Sequence, residues 1–569
     1  MAKTEATVET LVSMIERGEL RLPEMQRQYV WRSTRVRDLL DSLYRGYPSG
    51  AILLWETDED VPLQNFAVNQ SNNPYQSTRL LLDGQQRLTS LSAVIRGEPV
   101  SVRGRRRPIE LLFNLEHPEQ LAVVTEVDEN SDDAEIEEDE ELSGDEVDAS
   151  EDELLKRFNQ MTFVVATRKL EQLPQWVKVS EVFKTNDNAP FLRHAGVSNF
   201  DDPRCEKYSQ RLNRLRDIRR YVYRMDVLER NLSYDEVTEI FVRVNSLGAK
   251  LRGSDLALAQ ITAKWRGSLQ KFLDFQSECA KKGFELELGL HLKNLMAFAT
   301  GQSRFLTVGS LSLDDLQREW KKCCEGMEFA LNFASNNLGI DSPALLSSPF
   351  LLIVVAYLGH RRNYSLSTEE AQQLRYWALA ANAKGRFSRG SSETILDQDL
   401  ATIRDGGGAN ELIERLRQQV GRLDITAEEL EGRNQRSALF KTMFLAFRAA
   451  GAEDWRSHLA IALDHSGSQH RLQFHHIFPK AVLKKDGYTP READDVANLA
   501  FIGGKTNRAI SDKAPVDYLL PLVAQQGAAL FEAQCIPTEK KNLLELEHYK
   551  EFLQERRKRI AASLNAFIQ

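Results

Sequence analysis

The chain has 569 residues, 42% hydrophobic and 28% charged, and a formal net charge of −9 at pH 7. This length and apolar content predict several folded domains and exclude a small disulfide-stabilised scaffold. The five cysteines are scattered, the N-terminus lacks a signal-peptide core, and the longest apolar run, 350–358, is too short to span a bilayer. We therefore expect a cytoplasmic protein with no membrane partner.

The first predicted element that carries a chemical motif is a βα unit near residue 80. An apolar run typical of a buried strand, 80–82, precedes DGQQR, and apolar residues then recur at helical spacing: Leu88, Leu91, Val94 and Ile95. A helix that begins with Gln-Gln-Arg offers free backbone N–H groups and a guanidinium, which favour an anion such as phosphate. The alternative is a capped turn in which Arg87 only pairs with Asp83.

The next segment along the chain is strongly acidic. Residues 126–153 contain 17 acidic residues and no lysine or arginine, so without them the net charge of −9 becomes +8. A mildly basic remainder suits a DNA partner. We expect the acidic segment to be a disordered loop between the β-like segments 109–114 and 161–166. A sharper hypothesis is that it mimics DNA and occupies a basic groove until DNA displaces it.

The middle of the chain, from about 265 to 440, has helical periodicity in the runs 311–332, 342–364 and 368–383. The cationic segment 384–390 interrupts these helices, and it is either a phosphate-backbone contact or an ordinary basic loop. The run Arg-Arg-Lys-Arg at 556–559 has the same two interpretations, a DNA contact or a solvated helix face.

The most informative segment is Phe-His-His-Ile-Phe-Pro-Lys at 474–480. A β-prone run at 471–474 and an apolar run at 499–502 predict two strands, and 506–509 begins a helix. Strand side chains alternate, so one imidazole of His475 and His476 can hold a divalent cation while the other takes a proton from water. The alternative is a pair of ordinary surface histidines. The GGKT sequence at 503–506 lacks the earlier glycine of a P-loop, so nucleotide hydrolysis cannot rest on it.

Together with NLAFI and TNRAISDKAP, this segment resembles the HNH, or ββα-metal, nuclease fold, and more narrowly the C-terminal domain of GmrSD-type modification-dependent restriction enzymes, over roughly 440–565. The resemblance implies that His476 is the general base and His475 the first metal ligand. It also implies that Asn498 orients the base and that Asn507 is the second ligand of Mg²⁺ or Mn²⁺. Only Cys535 lies in this region, so we expect no structural zinc.

Four N-terminal motifs resemble the ParB/sulfiredoxin-like domain of the same restriction family, over roughly 5–265: PEMQRQYVW from 23, GYPSG from 46, DGQQR from 83 and EIFVRVNSLG from 239. In that family the DGQQR loop is associated with nucleoside triphosphate binding and hydrolysis. The resemblance therefore implies a nucleotide site that consists of Asp83, Gly84, Gln85, Gln86, Arg87, Gln26, Arg27 and Asn245, with Ser246 lining the pocket.

The sequence thus predicts a multidomain α+β protein. Its expected parts are a ParB/sulfiredoxin-like nucleotide-binding domain at 1–265, a helical coupling region at 266–440, and an HNH nuclease within a helical domain at 441–569. The expected function is an NTP-regulated, metal-dependent endonuclease that cuts modified double-stranded phage DNA, and a homo-oligomer is compatible with it. Two alternatives remain: an NTP-dependent DNA-binding regulator with a weak or inactive nuclease, and an effector that degrades any DNA or RNA.

Overall fold

The computed structural model describes residues 2–569 except 28, 30, 32, 72–77, 99–109, 120–154, 157, 198, 200, 248–251 and 466–468. The acidic insertion predicted at 126–153 lies outside the described residues. The chain divides into two compact units, Met1–Leu269 and Gln270–Gln569. The described residues divide into two units and form helices together with mixed and antiparallel sheets. The protein is therefore a multidomain α+β protein.

A six-stranded mixed sheet organises the first unit. Its strands are β1 (Ala2–Thr7), β2 (Leu20–Pro23), β3 (Ile52–Thr57), β4 (Leu63–Gln64), β5 (Thr78–Asp83) and β9 (Val222–Leu228). They are arranged in the order β1-β9-β3-β5-β2-β4. The pairs β9–β3 and β5–β2 are parallel, and the other neighbours are antiparallel.

The central strand β5 is covered on both faces. Leu81 belongs to one hydrophobic core cluster, and Leu80 and Leu82 belong to another, as the alternation of side chains along a strand requires. All three side chains are fully buried. The apolar run at 80–82 is therefore the buried strand that the sequence predicts, and its end at Asp83 delivers the chain to the DGQQR turn.

A smaller antiparallel sheet also lies in the first unit. It consists of β6 (Leu111–Asn114), β7 (Phe163–Val165) and β8 (Trp176–Lys178) in the order β7-β6-β8. The helices of this unit are α1 (Val8–Glu16), α2 (Ser33–Arg45), α3 (Gln85–Arg96), α4 (Val179–Lys184), α5 (Ala189–His194), α6 (Pro203–Arg216), α7 (Tyr234–Leu247) and α8 (Gly253–Lys264).

The second unit is mainly helical. Its first helix, α9 (Ser268–Lys281), contains the division point. Seven further helices follow before residue 450: α10 (Leu288–Thr300), α11 (Leu313–Asn337), α12 (Phe350–Arg361), α13 (Thr368–Lys384), α14 (Ser392–Arg404), α15 (Ala409–Val420) and α16 (Ala438–Ala449). The helices predicted at 311–332 and 368–383 are present as α11 and α13. The run 342–364 contains α12, which is preceded by a short turn of 3₁₀ helix, Pro343–Leu345.

The C-terminal part of this unit contains a two-stranded antiparallel pair, β10 (Leu472–His476) and β11 (Leu499–Gly503). In sequence, two short helices connect the strands, α17 (Lys480–Lys485) and α18 (Pro490–Ala493). Four helices follow β11: α19 (Gly504–Ile510), α20 (Pro515–Gln526), α21 (Ala529–Glu532) and α22 (Tyr549–Ile568). Phe501 packs against Phe440, Phe444 and Phe447 of α16, with ring centroids 5.1, 5.2 and 6.0 Å away. This aromatic cluster fixes the strand pair on its supporting helix.

Two global properties of the described residues agree with the composition. Among the helices that the structure describes, none combines the length and apolar character needed to cross a membrane. All five cysteines are free, and Cys279, Cys323 and Cys535 are buried.

Candidate active site

The two adjacent histidines lie at the end of β10. His475 is opposite Ala500 and His476 is opposite Leu499 in the register of the strand pair. Because consecutive side chains of a strand point to opposite faces, the two imidazoles have different surroundings. The helix α19 begins directly after β11, so the described residues form the strand–loop–strand–helix order that the sequence predicts.

His475 lies inside the domain, with 3% of its surface exposed. Its Nδ1 is 2.8 Å from Oδ1 of Asn507 on α19, and its Nε2 is 3.0 Å from the hydroxyl of Tyr518 on α20. That hydroxyl also lies 3.0 Å from the carbonyl oxygen of Ile477. Burial lowers the pKa of His475 to about 4, so the ring is neutral at neutral pH.

His476 is half-buried, and its hydrogen-bond partners differ from those of His475. Its Nε2 is 2.8 Å from Oδ1 of Asp494, and Nζ of Lys480 lies 2.8 Å from that same carboxylate oxygen. Burial raises the pKa of the Asp494 carboxyl, but the hydrogen bonds from His476 and Lys480 outweigh it, so its pKa lies below the ordinary value. The carboxylate is therefore ionised at neutral pH and accepts both bonds.

Asn498 occupies a different position from the one implied by the resemblance. It is fully buried, and its amide nitrogen donates to the carbonyl oxygens of Phe478 at 3.0 Å and Ala493 at 2.9 Å, while its Oδ1 accepts from the N–H of Phe478 at 2.8 Å. The expected hydrogen bond from Asn498 to His476 is thus not formed, and Asp494 makes that contact instead. Asn498 ties the segment after His476 to the residue before Asp494.

Asn507 fits the role of a metal ligand beside His475. Its amide nitrogen donates to Oε1 of Gln473 at 2.7 Å, which turns its oxygen toward Nδ1 of His475. Adjacent ligand atoms of an octahedral Mg²⁺, each about 2.0–2.1 Å from the ion, are about 2.9 Å apart. The two candidate ligand atoms are 2.8 Å apart in a hydrogen bond, so a bound ion would replace that bond with little change in their separation. A neutral imidazole and an amide oxygen are also suitable donors for such an ion.

The base of α19 is held by a buried carboxylate. Asp454 accepts from the N–H of Gly503 at 2.7 Å and from the hydroxyl of Thr506 at 2.8 Å. The GGKT sequence therefore forms the junction of β11 and α19 and places Asn507 one residue after an anchored threonine.

Sequence reasoning missed Asp494, Lys480, Gln473 and Tyr518. The only signals were the lysine that ends the HHIFPK segment and the pair of aspartates at 494 and 495. Those aspartates have separate roles, because Asp495 is almost fully buried and pairs with Arg557 at 2.6 Å.

The DGQQR turn of the first unit joins β5 to α3. Gly84 lies between them with φ of 102°, a left-handed conformation that suits glycine. Gln85 and Gln86 are buried, and Oε1 of Gln86 accepts from the N–H of Trp31 at 3.2 Å. The first turn of α3 contains no acidic residue, so its backbone N–H groups form an N-terminus that favours an anion.

Arg87 has internal partners in addition to Asp83. Its guanidinium donates to the carbonyl oxygens of Ser49 at 2.5 Å and Ala51 at 2.7 Å, and it lies 3.1 Å from the Asp83 carboxylate. Gly50 has φ of 87°, a left-handed conformation that suits glycine, and a Cβ there would lie 2.7 Å from the guanidinium and displace it. Arg87 therefore joins the GYPSG and DGQQR motifs, which are distant in sequence.

The remaining candidate nucleotide residues are near this turn or outside the described part. The buried amide of Gln26 donates to the carbonyl oxygens of Leu81 and Leu82 at the end of β5, at 3.1 and 2.5 Å. Arg27 pairs with Asp255 at 2.9 Å. The backbone of Asn245 belongs to α7, but its side chain, like that of Ser246, lies outside the described residues.

The two basic segments proposed as DNA contacts are largely internal. Lys384 and Arg386 are buried and pair with Glu429 and Asp399. Arg556 is fully buried and donates to the carbonyl oxygens of Ala497 at 2.8 Å and Gln534 at 3.0 Å. These three cations are buried and have partners inside the second unit, so neither an ordinary basic loop nor a solvated helix face describes them. Lys558 and Arg389 are exposed.

Comparison with known proteins gives two findings. Residues 8–262 match the model of the GmrSD restriction endonuclease N-terminal domain. The uncharacterized protein MJ0686 of Methanocaldococcus jannaschii is 22% identical over 564 residues, which cover 92% of this chain and 88% of that protein. The matched residues include the DGQQR turn. The N-terminal region of this chain is therefore similar to the N-terminal domain of GmrSD restriction endonucleases.

Proposed function

We propose that the protein is an NTP-regulated, metal-dependent endonuclease of anti-phage defence that cleaves modified DNA through an HNH site in its C-terminal part. The observation that carries this proposal is the arrangement at the end of β10. One histidine is neutral and paired with an amide oxygen at ligand spacing, and its neighbour is held by a carboxylate. A ligand and a base on opposite faces of one strand are the minimum that a one-metal phosphodiesterase needs.

The chain's own residues divide the chemistry between two groups. His476 is positioned to accept a proton from a water molecule as the water oxygen attacks phosphorus. The bond from phosphorus to the leaving oxygen then breaks, and solvent protonates that oxygen. Lys480 lies beside the base, with half of its side chain exposed, and its cation favours a phosphate oxygen in the same region.

His475 and Asn507 would hold the Mg²⁺ or Mn²⁺ ion. When bound, the cation neutralises charge on the phosphate and stabilises the departing oxygen. Tyr518 and Gln473 orient the two ligands from behind, as partners of ligating side chains usually do.

The nucleotide function is assigned to the first unit. The N-terminus of α3, with Asp83, Gly84, Gln85 and Gln86 around it, would receive the phosphates. Arg87 and Gln26 hold the surrounding loops in place through carbonyl oxygens. For nucleotide to gate cleavage, it must bind two conformations of the protein with different affinity. Such a gate protects the host chromosome from an active nuclease.

The test is a cleavage assay on three substrates with the full-length protein in Mg²⁺. Modified phage DNA, unmodified plasmid and single-stranded RNA are each incubated with and without NTP, and NTP hydrolysis is followed in parallel. We expect cleavage of the modified DNA only, with a rate that changes when NTP is added.

Two other results would contradict the proposal and identify its alternatives. Hydrolysis of NTP with every nucleic acid left intact would indicate a nucleotide-dependent DNA-binding regulator. Equal degradation of plasmid and RNA would indicate a non-specific effector nuclease.

A further inference from the structure

A carboxylate that lies 18 positions after His476 in sequence holds this histidine in the folded chain. The Asp494 side chain is 36% exposed, and it follows the last residue of α18. Its oxygens accept from donors on two different elements. Nε2 of His476, at the end of β10, lies 2.8 Å from Oδ1. Nζ of Lys480, at the start of α17, lies 2.8 Å from Oδ1 and 3.0 Å from Oδ2. The carboxylate is therefore held by donors from two elements.

This contact determines which nitrogen of His476 carries the proton. An ionised carboxylate accepts hydrogen bonds and donates none, so Nε2 of a neutral His476 must be the protonated nitrogen. The other ring nitrogen, Nδ1, then carries the lone pair, and only that nitrogen can accept a proton from water.

The position of Asp494 is itself supported by buried contacts. Asn498 donates to the carbonyl oxygen of Ala493, which directly precedes Asp494, and it bonds both backbone groups of Phe478, two residues after His476. The base and its carboxylate are thus held at a fixed separation by one buried amide. Such support is expected where a side chain must be held in one orientation.

We propose that Asp494 is the positioning residue of the nuclease site, which holds His476 in the tautomer with the proton on Nε2 and presents Nδ1 to the attacking water. Lys480 restrains the same carboxylate through both of its oxygens. This inference rests on the proposed nuclease function for its catalytic meaning. Its structural content, the tautomer of His476, can be measured without any cleavage.

The test uses the full-length chain labelled with ¹⁵N-histidine, in wild type and in Asp494→Asn, Asp494→Glu and Asp486→Asn variants. Asp486→Asn is the matched control, because Asp486 is exposed on the same connection between the strands. His476→Ala identifies the resonance of His476. The spectra are recorded near pH 9, where a free histidine is neutral.

We expect the wild type and Asp486→Asn to show the Nε2–H tautomer. In Asp494→Asn the amide can donate to Nε2, so the other tautomer becomes populated, and Asp494→Glu restores part of the original preference. In the cleavage assay Asp494→Asn should lower kcat about 10²-fold with an unchanged KM, within the usual contribution of a positioned general base.

The outcomes separate this inference from the proposed function. If wild-type His476 has its proton on Nδ1, or if Asp494→Asn leaves the tautomer and kcat unchanged, Asp494 is not the positioning residue. If the tautomer responds as expected but no DNA is cut by the wild type, the positioning is correct and the proposed nuclease function fails. A poorly folded Asp494→Asn leaves the wild-type spectrum and the Asp494→Glu variant as the deciding measurements.

Discussion

His475 and His476 are neighbours in sequence, yet their hydrogen-bond partners are different. The ring of His475 packs edge-on against Trp455 and Tyr518, with ring-centroid distances of 5.6 Å to each, whereas His476 reaches Asp494. The cause is the alternation of side chains along β10, which places one ring inside the domain and the other at its edge. A ligand and a base need such a difference, because the ligand must be shielded and the base must meet water.

The hydroxyl of Tyr518 gives a prediction at this scale. Tyr518→Phe keeps the aromatic ring and removes the oxygen that lies 3.0 Å from Nε2 of His475. Because partners of ligating histidines usually contribute 10–100-fold to metal affinity, we expect the Mn²⁺ concentration for half-maximal cleavage to rise about 10-fold. Tyr488→Phe, in the connection between the strands, is the control. An identical metal requirement in both variants would show that Tyr518 does not support a ligand.

The candidate residues of the C-terminal site could be predicted from the sequence only where a strand pattern fixes direction. The alternation in HHIFPK correctly indicates that His475 and His476 face opposite ways. The partners of these rings lie 18 and 43 positions away, and loop conformations that leave no periodic signal bring them close. For this reason Asp494 and Tyr518 were missed.

At the scale of elements, the side-chain direction of Asn498 could not be predicted from the alternation of a strand. The residue belongs to the short 3₁₀ turn Val496–Asn498, one position before β11 begins. The alternation of the strand therefore does not determine its direction, and the turn aims the amide at Phe478 and Ala493. The strand–loop–strand–helix order itself could be predicted, because apolar runs, glycines and polar helix starts mark it in the sequence.

Replacement of Asn498 should lower the free energy of unfolding, because this side chain bonds buried backbone groups. Asn498→Ala leaves the N–H and carbonyl oxygen of Phe478 and the carbonyl oxygen of Ala493 without their partner in a buried site. Each unsatisfied group costs about 1–3 kcal/mol, so we expect a loss of about 2–4 kcal/mol, allowing for relaxation. Thermal unfolding of the full chain measures this loss, and Asn410→Ala on the exposed face of α15 is the control. Equal melting temperatures would refute the bridging role.

The βα turn of the first unit leads to a second prediction for an element. Arg87→Ala removes donors to the carbonyl oxygens of Ser49 and Ala51 and the partner of Asp83. Because the GYPSG loop loses its link to α3, we expect a loss of about 1–3 kcal/mol whether or not NTP is present. Denaturant unfolding of this variant beside Arg35→Ala, an exposed arginine on α2, provides the comparison. If stability falls only when NTP is present, Arg87 acts mainly as a phosphate ligand.

For the whole molecule, the sequence identified the α+β class, the buried strand before DGQQR and the helices of the second unit. It did not reveal that Lys384, Arg386 and Arg556 are buried and bonded, because a cationic run looks the same whether its partners are water or distant acceptors. The nucleotide site at DGQQR stays a prediction, and the acidic segment 126–153 lies outside the described residues.

Removal of the metal should stop cleavage without unfolding the protein. His475 and Asn507 bond each other, and His476 bonds Asp494, so these side chains have protein partners without a cation. We therefore expect EDTA to abolish cleavage and to change the melting temperature by no more than about 2 °C, unlike a domain whose folding depends on metal. Added Mg²⁺ should restore cleavage in full. A large drop in melting temperature would mean that the ion is structural.

We place the nuclease chemistry at the end of β10, and cleavage of modified phage DNA by His476→Ala is the most direct test of this placement. The assay compares the wild type, His476→Ala and the control His470→Ala, which replaces an exposed histidine just before β10, in Mg²⁺ and NTP. We predict full activity in the wild type and in His470→Ala, and a rate at least about 10²-fold lower in His476→Ala. Undiminished cleavage by a folded His476→Ala variant would show that the nuclease site does not lie at the end of β10.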